Sequence, residues 1–133
     1  MRLLLDTHSL LWWLTGDRRL KASERDAIAD PAAIVHVSAA SVWEIAIKAS
    51  LGRIEVKVDL ARELAVDHLL ELPIRWQHAR AAGALPRHHD DPFDRMLIAQ
   101  ARTEGLHLVS YDPAFRDYDV ALLPPRRSEA DPG

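Results

Sequence analysis

The chain has 133 residues, 48% of them hydrophobic, which is the size of one domain that can bury its own core. It has no cysteine, which excludes disulfides, thiolate metal sites and a cysteine nucleophile. Its formal charge of −3 and pI near 6.1 differ from the strongly basic balance of proteins that bind nucleic acid by charge alone.

The first apolar run is too short to direct the chain into or across a membrane. It consists of Leu3, Leu4 and Leu5 and ends at Asp6, with a single positive charge, Arg2, before it. A secretion signal needs a longer apolar core, and a membrane span needs about 20 apolar residues. We therefore expect a cytoplasmic protein with no membrane attachment.

The first half of the sequence predicts strands that alternate with helices. Short apolar runs indicate buried strands, and leucines at helical spacing indicate the first helix. Ser23 and Ser38 stand where N-caps are expected, and Gly52 stands where a helix should end. The predicted elements are a strand over 2–6, a helix over 8–14, a helix over 24–30, a strand over 34–37 and a helix from Ser38 to Leu51.

The same alternation continues in the second half. Pro73 predicts an edge strand or a strand end, and Gly105 predicts a helix end. A tail over 124–133, rich in proline, arginine and acids, is expected to be flexible, which leaves 1–123 as the domain. The predicted elements are a helix over 60–68, a strand over 70–74, a helix over 75–84, a polar loop over 86–92, a helix over 93–104 and strands over 106–109 and 120–123.

Strands alternating with helices predict an α/β fold, with a central, mostly parallel β-sheet flanked by α-helices. Active sites in such sheets gather at the carboxyl ends of the strands. Asp6 and Asp112 both follow predicted strands. We therefore expect these two side chains to converge although they are far apart in sequence.

Asp6 and Asp112 each also have an ordinary structural explanation. Asp6 stands directly before a predicted helix and can serve as its N-cap. Asp112 precedes Pro113, and an acid before a proline at the first helical position is a common helix start. Considered singly, neither residue indicates catalysis.

Glu44 lies in a helical segment, 42–47, whose other members are apolar. Its structural explanation is an ion pair with Lys48, one helical turn further on. Such a pair stabilises a helix by only about 0.3–0.5 kcal/mol, which is a weak reason to place a charge there. The position therefore favours a functional role for Glu44.

Asp94 heads the apolar stripe formed by Leu97, Ile98 and Ala101, so its carboxylate faces the predicted core. An acid in the first turn of a helix gains about 0.3–1 kcal/mol from the helix dipole. Asp91 and its neighbour Asp90 are already available for that role. The redundancy favours a separate task for Asp94.

If all four acids converge, they repel one another. Two carboxylates about 4 Å apart cost about 4 kcal/mol at an effective dielectric constant near 20. A cation must lie between them, and ligands that are all oxygen favour Mg²⁺ or Mn²⁺ over zinc. One or two such ions can activate water and stabilise the leaving oxygen in phosphodiester hydrolysis. The pattern therefore predicts that Asp6, Glu44, Asp94 and Asp112 are metal ligands and catalytic residues.

These residues lie in four segments whose order and spacing resemble the PIN-domain ribonucleases, specifically the VapC-type toxins of type II toxin–antitoxin systems. The resemblance covers nearly the whole chain. The segments are 3–12, 38–48, 91–101 and 108–112.

The resemblance implies a PIN fold and a metal-dependent endoribonuclease that cuts tRNA or rRNA and thereby inhibits translation. The four acids match the acidic quartet of the family, and Ser110 stands where the family commonly has threonine, which suggests that it orients a ligand or a phosphate. Family members usually form homodimers and are neutralised by a cognate VapB-type antitoxin. Trp12 and Trp43 are candidates for the antitoxin groove, although buried packing is the expected role of at least one of them.

The substrate contacts are less clear from the sequence. Six basic residues could line a phosphate path, but solvated surface is the favoured interpretation for most of them. They are Lys48, Arg53, Lys57, Arg87, Arg95 and Arg116.

Four alternatives remain. The segment 88–91, two histidines followed by two aspartates, could form a zinc cluster, but no second histidine stands at ligand spacing and a polar loop is the better interpretation. A phosphatase of the haloacid dehalogenase type would need a second aspartate at position 8, which is His8. The other two are a PIN-like scaffold that binds RNA or protein without cutting it, and a metal-dependent DNA nuclease.

Overall fold

In a computed structural model, which describes residues 1–126, five parallel strands form one sheet in the order β3-β2-β1-β4-β5. The predicted α/β fold is confirmed. Most of the predicted flexible tail, 127–133, lies outside the described residues. The strands are β1 (Arg2–Leu5), β2 (Ile34–Ser38), β3 (Leu70–Leu72), β4 (His107–Val109) and β5 (Leu122–Leu123).

Helices follow most of the strands and cover the sheet. A short 3-10 helix, Pro113–Asp117, connects the last two strands. In the part of the chain that the structure describes, no helix combines the length and the apolar character needed to cross a membrane. The α-helices are α1 (Thr7–Thr15), α2 (Ala22–Ala29), α3 (Ala39–Ser50), α4 (Leu60–Val66), α5 (Trp76–Ala84) and α6 (Pro92–Glu104).

The central strand β1 is buried on both faces, which explains its unbroken run of leucines. Alternate side chains of a strand point to opposite faces. Leu4 packs in one cluster with Ile98 and Phe115, whereas Leu3 and Leu5 pack in another. The sheet is therefore held between two apolar layers, and its strand ends are placed by a rigid core.

Several predicted boundaries are confirmed. Ser38 caps α3 by accepting a hydrogen bond from the amide of Ala40 at 3.0 Å. Pro73 follows the edge strand β3. Gly105 ends α6 with a φ of 66°, a left-handed conformation that glycine adopts without strain.

Other predicted boundaries were wrong, since β3 ends at Leu72 instead of 74 and α4 ends at Val66 instead of 68. Helix α2 begins at Ala22, so Ser23 lies inside it and is not its N-cap. The Ser23 hydroxyl instead donates to the buried carboxylate of the adjacent Glu24 at 2.7 Å. The last strand has two residues instead of four, because the amide of Val120 bonds to the carbonyl of Tyr118 within a turn.

Candidate active site

Neighbouring strand ends bring Asp6 and Asp112 to the same edge of the sheet. Strands β1 and β4 pair with Leu5 opposite Val109, and the amide of Asp6 donates to the carbonyl of Val109 at 3.1 Å. Ser110 follows β4 and accepts a hydrogen bond from the amide of Asp112 at 3.1 Å. Asp6 and Asp112 also line one small cleft of about 320 Å³. The two acids predicted to converge from the strand ends do so.

The Asp6 carboxylate is buried, with 4% of the residue exposed. Its Oδ1 accepts a hydrogen bond from the amide of Ser9 at 2.8 Å, so it caps α1 as the structural explanation predicted. Burial nevertheless raises the pKa of Asp6, although hydrogen bonds from Ser110 and Ser9 act in the opposite direction. The capping hydrogen bond therefore does not fully offset the cost of burying this carboxylate.

Asp112 is exposed and begins the 3-10 helix, where its Oδ1 accepts a hydrogen bond from the amide of Ala114 at 2.9 Å. The predicted helix start is therefore confirmed. Ser110 joins the two strand-end acids, because its hydroxyl both bonds the Asp112 amide and lowers the pKa of Asp6.

Glu44 projects from α3 and is 5% exposed. Its Oε1 accepts a hydrogen bond from the Thr7 hydroxyl at 2.7 Å, and its Oε2 forms the predicted ion pair with Lys48 Nζ at 2.6 Å. The Thr7 hydroxyl also lies 3.2 Å from the Ser41 hydroxyl. The ion pair is thus present, but a buried carboxylate held by two partners is fixed far more firmly than an exposed helical pair.

Asp94 lies in the first turn of α6 but does not cap it. Asp91 is the N-cap and accepts hydrogen bonds from the amides of Phe93 and Asp94, at 2.9 and 3.1 Å. Burial raises the pKa of Asp94 to about 6, with further contributions from Asp91 and Glu44 and an opposing one from His89. The carboxylates of Asp94 and Glu44 are therefore within electrostatic reach of each other.

His89 is a site residue that the sequence interpretation missed. Its Nε2 lies 2.7 Å from Asp94 Oδ2, and this hydrogen bond raises the pKa of His89 against the effect of burial. Asp112 adds to the increase, so the imidazole lies within electrostatic reach of two of the four acids. His88 instead packs its ring against Tyr118, at a centroid distance of 5.2 Å. The adjacent histidines thus point to different partners, which argues against a shared zinc ion.

The loop that carries His89 is fixed by Arg95. This arginine is 7% exposed and donates hydrogen bonds at 2.9–3.2 Å to four backbone carbonyls, one in the last turn of α5 and three in the segment that follows it. Its guanidinium is fully committed to the protein interior. Arg95 can therefore be removed from the set of possible phosphate contacts. The four carbonyl partners are those of Ala82, Leu85, Pro86 and His89.

The two tryptophans considered for a partner groove have different surroundings. Trp43 is 61% exposed and meets the Phe93 ring edge-on at a centroid distance of 5.3 Å. Trp12 is half-buried, stacks with His8 and lies 5.9 Å from the Tyr111 ring. Trp43 thus borders the Asp94 side of the acids, whereas Trp12 borders the Asp6 and Asp112 side.

The four predicted acids thus form two linked pairs, Asp6 with Asp112 and Glu44 with Asp94. Within residues 1–126, no three carboxylate or imidazole groups lie close enough together to hold one ion in this arrangement. In this arrangement Lys48 holds Glu44, and His89 holds Asp94.

Comparisons with known proteins agree with this architecture. Residues 3–121 match the model of the PIN domain family. The chain is 32% identical over 118 residues to ribonuclease VapC22 of Mycobacterium tuberculosis, which covers 86% of this chain and 90% of that protein.

Two solved structures share the fold. VapBC2 from Rickettsia felis, bound to a DNA fragment from its promoter, matches with a TM-score of 0.68 and 14% identity over 92% of this chain and 97% of that chain. FitAcB from Neisseria gonorrhoeae matches with a TM-score of 0.60 and 19% identity over 90% and 95%. Family model, sequence relative and fold all agree, and the chain therefore belongs to the PIN-domain family and, within it, to the VapC ribonucleases.

Proposed function

We propose that this chain is a VapC-type toxin, an endoribonuclease dependent on Mg²⁺ or Mn²⁺ that cuts tRNA or rRNA in the cytoplasm and thereby inhibits translation. The observation that carries the proposal is the meeting of Asp6 and Asp112 at neighbouring strand ends, beside the coupled carboxylates of Glu44 and Asp94. The relationship to a ribonuclease supports the choice of RNA as the substrate. We assign the catalytic domain to 1–123.

The donor set fits Mg²⁺ or Mn²⁺ chemically, because all four proposed ligands are carboxylates. Burial raises the pKa of both Asp6 and Asp94, so a cation that stabilises the ionised forms would be favoured at both. For the four acids to share one or two ions, the contacts of Glu44 with Lys48 and of Asp94 with His89 must open at least in part. The side chains of Lys48 and His89 are 36% and 24% exposed, so both have solvent into which they can turn when they release the acids.

When bound, the ion would supply an activated water and a positive charge opposite the leaving oxygen. The protein's own residues hold the acids for this task. Thr7 fixes one oxygen of Glu44, and Ser110 ties Asp6 to the backbone of Asp112. Because water is the nucleophile, the absence of cysteine is no obstacle.

The decisive experiment is cleavage of end-labelled total tRNA and rRNA by antitoxin-free protein. It is run with Mg²⁺, with Mn²⁺ and with EDTA, beside Asp6→Asn protein as the control for contaminating nuclease. We expect discrete metal-dependent cuts that are absent from the variant. No cuts with either ion would support the non-catalytic scaffold instead, and equal cleavage of competing DNA would support a DNA nuclease.

We further propose that a VapB-type antitoxin neutralises the protein and that the protein forms a homodimer. Both associations need apolar surface, and Trp43 and Trp76 are 61% and 91% exposed. Expression alone should arrest growth of the host, and co-expression of the adjacent small open reading frame should rescue it. Normal growth with verified soluble protein would contradict the toxin role. A molar mass of one chain, measured by light scattering, would contradict the dimer.

A further inference from the structure

A second, larger cleft opens beside the acids and is lined by basic residues. Its volume is about 880 Å³, and it shares Trp12, Tyr111, Arg19 and Asp112 with the small cleft that contains Asp6. We call it the basic cleft, and its five cations are Arg18, Arg19, Lys21, Arg116 and Arg126. Asp112 is the one carboxylate among the described lining residues, so the cleft is locally positive although the chain carries a net charge of −3.

The five cations differ in how far they are already engaged. Arg126 donates to the backbone carbonyls of Arg116, Tyr118 and Val120, and Arg19 pairs with Asp17 at 2.7 Å. Within residues 1–126, the side chains of Arg18, Lys21 and Arg116 make no hydrogen bond or ion pair, and all three residues are exposed. These three are the cations available to an incoming anion.

Aromatic rings form one wall of the basic cleft. The Tyr111 hydroxyl accepts a hydrogen bond from the amide of Lys21 at 2.9 Å and donates to the buried carboxylate of Glu24. Its polar atom is therefore used inside the protein, and the ring is what borders the cleft. The Trp12 ring lies beside it at 5.9 Å.

The same rings position two of the cations. Arg19 lies over the Trp12 ring at 5.1 Å from its centroid, and Lys21 lies over the Tyr111 ring at 5.6 Å, both within the range of cation–π attraction. The loop between α1 and α2 is anchored at the same point, through the bond from Lys21 to Tyr111. The positive groups are thus held near the cleft rather than dispersed in solvent.

We infer that the basic cleft binds the RNA strand next to the scissile phosphate, an inference that rests on the proposed nuclease function. A flanking phosphate lies against Arg18, Lys21 and Arg116, and its base lies against the rings of Trp12 and Tyr111. Bases stack on aromatic side chains in most single-stranded RNA sites, beside cations that follow the backbone. The acids themselves repel RNA, so a nuclease of net negative charge needs a local positive surface of this kind. An acidic peptide would satisfy the cations but would leave the aromatic wall unexplained.

The test is binding of a short fluorescein-labelled single-stranded RNA, measured by anisotropy in EDTA so that cleavage is suppressed. The cleft variant combines Arg18→Gln, Lys21→Gln and Arg116→Gln. The control variant removes the same charge from exposed positions outside the cleft, with Arg62→Gln, Arg80→Gln and Arg102→Gln. All six side chains are exposed, so both variants should fold, and melting curves verify this.

We expect the cleft variant to bind about tenfold more weakly or worse, and the control variant to bind within about twofold of the wild type. The slope of log affinity against log salt should fall by about 2 in the cleft variant, because each single-strand phosphate contact contributes about 0.7. Trp12→Leu should lose between about fivefold and about 150-fold in affinity, as expected for one stacked base. Trp76→Leu, which changes an exposed ring outside the cleft, should lose none.

Each other outcome has a defined meaning. If both triple variants lose affinity equally, binding follows net charge and the cleft assignment is wrong. The assignment is also wrong if the cleft variant binds and cuts RNA as well as the wild-type protein does. If that variant binds RNA normally but no longer binds the antitoxin, the occupant of the cleft is an acidic peptide. Wild-type protein that binds RNA through the cleft but cuts none with either metal would overturn the proposed function alone.

Discussion

Replacing Asp94 by asparagine should stabilise the metal-free protein at neutral and alkaline pH. The pKa of Asp94 is about 6 in the folded protein, against 3.8 for the ordinary side chain, chiefly because the carboxylate is buried. Its side chain is 20% exposed, so solvent screens it little. A difference of about two pKa units corresponds to about 3 kcal/mol, which is the upper limit of what removing the ionised form can gain.

The sign follows from proton binding. The folded protein holds the Asp94 proton more tightly than the unfolded chain, so stability falls as the pH rises from about 4 through about 6 and stays at the lower level above that range. Asparagine does not ionise, and it can still hydrogen-bond His89. The part of the difference between variant and wild type that comes from Asp94 ionisation should therefore open between about pH 4 and pH 6 and persist above that range.

The assay is thermal unfolding in EDTA across that pH range. At about pH 8 we expect Asp94→Asn to gain about 1–3 kcal/mol, which is about 4–10 °C in Tm for a chain of this length. Asp90→Asn, whose side chain is 91% exposed, is the matched control and should show no such gap. A Tm for Asp94→Asn at or below that of the wild type at pH 8 would refute the reasoning. The same variant should lose metal-dependent cleavage, and full activity would refute its assignment as a ligand.

Three further predictions concern other parts of the site and its support. Arg95→Met should lower the free energy of unfolding by about 3 kcal/mol or more, measured in urea, because four backbone carbonyls lose their donor. The control Arg87→Met should change it by less than about 0.5 kcal/mol. Equal effects would mean that the segment does not depend on Arg95. Thr7→Val should reduce metal affinity or activity by about 10- to 100-fold, because Glu44 loses its hydrogen bond from the Thr7 hydroxyl. The measurement is the cleavage rate as a function of metal concentration, and an unchanged curve would contradict a role of Thr7 in positioning Glu44. Gly105→Ala should cost about 1 kcal/mol in unfolding free energy, since the left-handed backbone disfavours alanine while space for the methyl group exists, and an unaltered midpoint would show that the helix end relaxes.

Local patterns were sufficient to predict the elements and the acids. The leucine run of β1 and the stripe below Asp94 reflect burial on defined faces, so sequence periodicity reveals them directly. The boundaries set by Ser38 and Gly105 follow from their own backbone chemistry. Ser23 failed as a cap because its hydroxyl is used by Glu24, an adjacent residue whose burial no local pattern reveals.

Long-range contacts explain which features of the site could not be predicted from the sequence. His89 lies against Asp94 at the end of a segment, 82–89, whose carbonyls Arg95 bonds. Bonds to backbone carbonyls depend little on residue type, so the sequence does not reveal them. The charged segment over 17–21 reads as an ordinary solvated loop, and Tyr111, ninety residues later, is what fixes it beside the acids. The sequence did contain one indication of the His89 contact, since this histidine stands five positions before Asp94, an acid in the first turn of a helix. That spacing is common in polar loops and does not by itself predict a contact.

The position of β1 in the sheet has a consequence for protein synthesis. Of the five described strands, the central one comes first in the chain, and its neighbour β4 begins about a hundred residues later at His107. A ribosome adds about 5–20 residues each second, so Asp112 is synthesised several seconds or more after Asp6. Until then β1 lacks a partner on one side and the acids cannot assemble. On the proposed assignment of the acids, a nascent chain cannot cut RNA for most of its synthesis, so the ribosome that makes it is exposed to the proposed activity only at the end.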